Sequence, residues 1–179
     1  MAIESTQTRD DFVAQVSRLD PHGAVAALRA HRADVTRHTQ GSLDALLDAE
    51  LDDFPLAERL AAAAYAAALV DAHGTAHAYR TRLASHSPET IALLDELLDA
   101  LPADAVWKCA PPRLAAVLAH TRAVTLAPAQ TADDGPAALA ALQRAGLSTR
   151  AIVVLSQLIA FASYQVRVVA ALRALEDLA

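Results

Sequence analysis

Glu58, His73 and His77 stand in one short stretch, "ERLAAAAYAAALVDAHGTAHAYRTRLA", which runs from Glu58 to Ala84. A carboxylate and imidazoles are groups that move protons near neutral pH, so the first chemistry they suggest is general acid–base catalysis. The histidines are four residues apart and share one face if the helix continues through Gly74. Two histidines and a distant glutamate also make part of a metal site, but an incomplete and unspecific one, and we assign neither metal nor cofactor. The plainer reading makes Glu58 a charge near the positive end of a helix dipole and the histidines half-exposed polar groups.

Other side chains join them as candidates. Arg80, beside Tyr79, could hold a substrate carboxylate. Equally, "YRTRL" reads as a solvated helix face with Tyr79 tucked inside. His120 sits among apolar neighbours and could line the same cavity, or be a core histidine with one hydrogen-bond partner. Cys109 is a small hydrophobe or, with Lys108 beside it, a reactive thiol. Gln165 and Arg167 lie in an apolar stretch and need partners, such as an ion pair to Glu58 or an aspartate. His22, His31, His38 and His86 form no constellation.

The elements that must position these groups are helices. Prolines and glycines punctuate a sequence rich in alanine and leucine. A first helix is expected from about Asp10 to Leu19, a second from Ala24, and a third through "LDALLD" to about Ala49. Pro55 fits a first helical position, and its helix should run to about Val70. Gly74 suggests a break or a tight entry to the next helix, with Asp71 or Thr75 as its cap. "SPET" marks a start with Ser87 as cap and Pro88 first inside. Another helix runs from Pro112 to Leu126, "APAQTADDGP" reads as a loop, and "AALAALQRAG" is a helix closed by Gly146. Ser148 caps the last and longest helix, apolar nearly all round and hence central or at a subunit interface. No stretch alternates with a period of two, so the expected fold is all-α, a single domain over 1–179 with about seven or eight helices.

Composition narrows the function classes. The chain has 179 residues, 54% hydrophobic and only 4% aromatic, enough to bury a core without staples. One cysteine allows no internal disulfide and no Cys-x-x-Cys pair. The net charge of −6 and the lack of a basic stripe argue against nucleic acid as a partner. "MAIESTQTRDDF" has neither the basic start nor the apolar centre of a signal peptide. Ala151 to Leu172 is long enough to span a membrane, but Ser156, Gln157, Gln165 and Arg167 interrupt it. The expectation is a cytoplasmic, soluble protein whose last helix is buried or shared with a second copy.

Two stretches carry a resemblance to the alkylhydroperoxidase D / carboxymuconolactone decarboxylase family, over roughly residues 55–175. In "PLAERLAAAAYAAALVDAHGTAH", the family's glutamate aligns with Glu58 and its motif histidine with His77. The two cysteines of its Cys-x-x-Cys-x-x-x-His motif then fall on Val70 and His73. From "PPRLAAVLAHTRAVTL" through "AGLS" to "QVRVVAALRAL", the order of helix, loop, short helix and long apolar helix is similar to the peroxidase-related branch. The resemblance implies an oligomer, most simply a dimer, and a cavity shared by Glu58, His73 and His77. It does not imply peroxidase activity, because neither Val70 nor His73 can replace a thiolate and Cys109 lies outside the motif.

Three functions follow as expectations. One is a cysteine-independent enzyme using Glu58, His73 and His77 on a small substrate, a carboxylated one among the options, with Tyr79, Arg80 and His120 binding it. The second is a degenerate homologue that binds a ligand or partner without turnover. The third is a redox protein using Cys109 with an intermolecular partner.

Overall fold

A computed structural model describes residues 11–99 and 110–179, and Lys108 and Cys109 lie outside them. Ten α-helices and no strand are found among the described residues. The all-α expectation holds, with more helices than the seven or eight foreseen.

The contacts divide the chain into two compact units where the sequence reads as one domain. One comprises the described residues up to Leu46 together with Tyr164–Ala179. It holds α1 (Phe12–Ser17), α2 (Ala24–Ala30) and α3 (Ala33–Leu46), with the C-terminal part of α10 (Thr149–Glu176). Phe12, Val13, Val16, Val25, Leu43 and Val169 are its buried apolar side chains. Asp11 caps α1 by accepting from the Ala14 N–H, and it also pairs with Arg29 at 2.8 Å.

The other unit is Leu47–Ser163. It holds α4 (Leu56–Ala68), α5 (His73–His86), α6 (Pro88–Asp99), α7 (Pro112–Leu126), α8 (Pro128–Asp133), α9 (Gly135–Arg144) and the start of α10. Its centre is α4, which packs against α5, α6 and α7. Every residue from Arg59 to Ala67 is buried. Alanine makes this possible, since short side chains let neighbouring helix axes approach closely.

Three helices end the same way, with one residue in the left-handed region at the stop. The Gly146 N–H donates to Gln143 O and the Leu147 N–H to Leu142 O, and Gly146 has φ +87°. The same pair of bonds closes α1 at Arg18 (φ +56°) and α4 at Asp71 (φ +55°). The turn after α4 is therefore made at Asp71, not at Gly74. Gly74 lies one residue inside α5, and neither Asp71 nor Thr75 caps that helix; Ala72 stands at the N-cap with no side-chain bond. Pro55 occupies an N-cap and not the first helical position. The "APAQTADDGP" segment is not a plain loop, because it forms α8. Pro88, Pro112 and Ser148 begin their helices as read, and the Ser148 hydroxyl accepts from the Ala151 N–H at 3.0 Å.

α10 buries Ala151, Ile152, Leu155, Leu158, Ile159, Ala162 and Gln165. It is long and apolar enough to cross a membrane by length and composition, and 39% of its most apolar stretch is buried within the chain.

Candidate functional site

Glu58 lies in the first turn of α4, half-buried, and its carboxylate meets Arg113. Arg113 stands in the first turn of α7, just after Pro111 and Pro112. Its Nε–H donates to both carboxylate oxygens of Glu58, at 2.9 and 3.0 Å. Its Nη1 donates to Gly146 O at 2.6 Å and its Nη2 to Asp53 O at 3.0 Å. One guanidinium thus ties the loop before α4, the start of α7 and the α9–α10 turn to Glu58. Ser148 continues the tie by donating its hydroxyl to Asp53.

A second arginine holds the same loop from inside. Arg59 is fully buried; its Nε donates to Phe54 O and its Nη2 to Asp48 O, both at 2.8 Å. Burial lowers its pKa, opposed by the charges of Asp48 and Asp53. Both arginines were missed as key residues in the sequence reading. The only signals were an arginine directly after two prolines and one directly after Glu58, and neither distinguishes a buried guanidinium from a surface one.

The two histidines stand elsewhere. Both are in the first turns of α5 and both are exposed. The short turn at 69–72 makes α4 and α5 an antiparallel pair. Leu56 and Leu60 share a groove with Ser85 and Thr81, which sets the register. Glu58 is then level with Leu83, six residues beyond His77, or about 9 Å along the helix axis. His73 is about 15 Å away by the same measure. Among the described residues no three of His, Cys, Asp and Glu come together as a metal ligand set. The contacts of Glu58 are with Arg113, and both histidines are exposed. Matching the spacing to a family motif fixed how many residues separate these groups, but the position of the turn decides which of them face one another.

The remaining candidates are also dispersed. Tyr79 is fully buried, as the plainer reading had it. Arg80 pairs with Asp95 of α6 at 2.7 Å, so its guanidinium joins two helices. His120 is half-buried on α7, and burial lowers its pKa. Arg167 is exposed. Cys109 lies outside the described residues.

The α4–α5 groove has a volume of about 360 Å³. Leu47, Leu56 and Leu60 form its apolar side, and Arg82 and His86 bring basic groups to it. The hydroxyls of Thr81 and Ser85 donate to carbonyls of their own helix, one turn back. The groove suits an apolar group carrying a negative charge.

No family model matches the chain, and neither a curated protein nor a solved structure matches it.

Proposed function

We propose that the chain is a non-catalytic helical binding protein, a degenerate relative of the alkylhydroperoxidase D / carboxymuconolactone decarboxylase proteins that binds a ligand or partner without turnover. The observation that supports this reading is the pairing of Glu58 with Arg113. Both carboxylate oxygens accept from Nε, and the rest of the guanidinium is tied to two backbone carbonyls. A carboxylate held in this way serves as a structural tie. A general base needs access to the proton it removes, and here the carboxylate is half-buried and engaged by Arg113 while the histidines are exposed.

The protein would act in the cytoplasm as a homodimer. The support for a second copy is α10, whose most apolar stretch is only 39% buried and whose Val153 is 50% exposed. A ligand would sit in the α4–α5 groove, about 360 Å³ in volume.

The test is an assay of tert-butyl hydroperoxide consumption with thioredoxin- or lipoamide-based reductant, together with decarboxylation of a small lactone carboxylate. The expected rates equal those without protein. Turnover that His77→Ala or His73→Ala removes would overturn the reading in favour of acid–base catalysis. Turnover that Cys109→Ser removes would overturn it in favour of thiol chemistry.

A further inference from the structure

The unit that contains α1–α3 has a cleft of its own, about 150 Å³ in volume, between these helices and the C-terminal part of α10. At a share of ~30 Å³ per water, that is room for about five waters or a small organic molecule. Val13, Val168 and Leu172 give it apolar walls, and Val13 is buried. Arg32, Thr36 and Tyr164 bring polar groups to it.

The two arginines beside this cleft differ. Arg29 is neutralised by Asp11, at 2.8 Å, which fixes it to the end of α1. Arg32 is exposed and makes no side-chain hydrogen bond or ion pair among the described residues. It stands just before α3, at the end of the helix where the dipole favours negative charge. The acidic residue in that first turn, Asp34, is answered by Arg37 at 2.8 Å. The Tyr164 hydroxyl is paired with Thr39 at 3.2 Å, while the Thr36 side chain makes no hydrogen bond among the described residues. An unpaired guanidinium and a free hydroxyl one helical turn apart, above an apolar floor, make a place for one carboxylate with a short hydrocarbon body.

We propose that this cleft binds a small aliphatic carboxylate, with Arg32 and Thr36 holding the carboxylate and Val13, Val168 and Leu172 enclosing the hydrocarbon. The site is in the other unit from Glu58 and does not depend on the function proposed above.

The experiment titrates isovalerate into the full chain and follows methyl NMR signals, with isovaleramide and inorganic phosphate as controls. Isovalerate is expected to saturate in the millimolar range or below and to shift the Val168 and Leu172 methyls. The uncharged amide should bind at least about tenfold more weakly, as should isovalerate to Arg32→Gln, which alters an exposed side chain and leaves the fold intact. Val168→Trp, which fills the cleft, should abolish binding with the circular dichroism unchanged. No saturation at tens of millimolar, equal binding of the amide, displacement by phosphate at equal concentration, or full binding in Arg32→Gln would each overturn the proposal.

Discussion

Arg113 and Glu58 meet through one nitrogen and two oxygens, with the Nε–H shared between both carboxylate oxygens at 2.9 and 3.0 Å. The side chains are 27% and 15% exposed, so water screens the pair only in part. Arg113→Ala would leave the carboxylate and the carbonyls of Gly146 and Asp53 without this donor. Hydrogen bonds to charged groups contribute about 1.5–3 kcal/mol, and stranding a partner costs more than the bond itself contributes. The expected loss is therefore at least about 2 kcal/mol. Glu58→Gln, which keeps the shape and an acceptor, should lose about half of that. Urea unfolding of both variants and the double variant measures it, and a loss below about 0.5 kcal/mol in Arg113→Ala would show that the tie is ornamental.

Asp71 closes α4 with φ +55°, a conformation that disfavours every residue with a Cβ. Replacement by glycine relieves about 1 kcal/mol of backbone strain, and the greater freedom of the unfolded glycine chain returns part of that. Asp71→Gly should therefore stabilise the protein by a few tenths to about 1 kcal/mol. The reverse change at Gly74, to alanine in the first turn of α5, should also stabilise, because alanine restricts the unfolded chain more than glycine does. Loss of stability in Asp71→Gly would mean that the aspartate side chain contributes an interaction outweighing its strain.

These turns show what could be read from the sequence. Starts were legible because Pro88, Pro112 and Ser148 act locally: a fixed φ or a hydroxyl one turn from an N–H is a property of a few adjacent residues. The stop at Gly146 was legible for the same reason. The stops near Leu19 and Val70 were legible to within two residues, but the left-handed residues that make them, Arg18 and Asp71, were not, because neither residue type announces that conformation. The surroundings of Glu58 show a related limit. Glu58 and His77 have the family's separation along the chain, yet a hairpin turn at Asp71 sets Glu58 level with Leu83. Arg113, its actual partner, is 55 residues away, and no local pattern announces a contact at that distance.

His120 gives a test in pH. Burial holds its imidazole below the ordinary histidine value. As pH falls, the unfolded chain takes up that proton before the folded one does. In the interval between the lowered folded value and about 6.5, the unfolded state binds more protons, so stability rises with pH. The contribution is complete above about pH 6.5 and is lost as pH falls through the folded value. His120→Gln, which does not titrate, should remove this slope. Comparing urea midpoints of the two proteins at about pH 7.5 and about pH 5.5 cancels the histidines they share. Parallel behaviour of the two across that range would mean that His120 is as well solvated as an unfolded histidine.

Val153 sits on α10 with half of its surface exposed, on a helix whose buried side is formed by Ala151, Ile152, Leu155, Leu158 and Ile159. An exposed apolar side chain on such a helix is an ordinary feature when single, but here the most apolar stretch of the helix is 39% buried. A second copy of the chain would cover the remainder by packing α10 against its symmetry mate. Val153→Glu would place a charge where that contact forms, and burying it without a partner would raise the dissociation constant by about a hundredfold or more. The monomer fold should be indifferent, since the side chain already faces solvent. Light scattering at micromolar concentration should give a dimer for the native chain and a mass near 18.8 kDa for Val153→Glu, with unchanged circular dichroism. A native chain that already scatters as an 18.8 kDa particle would rule out the dimer and leave the exposed face of α10 as plain surface.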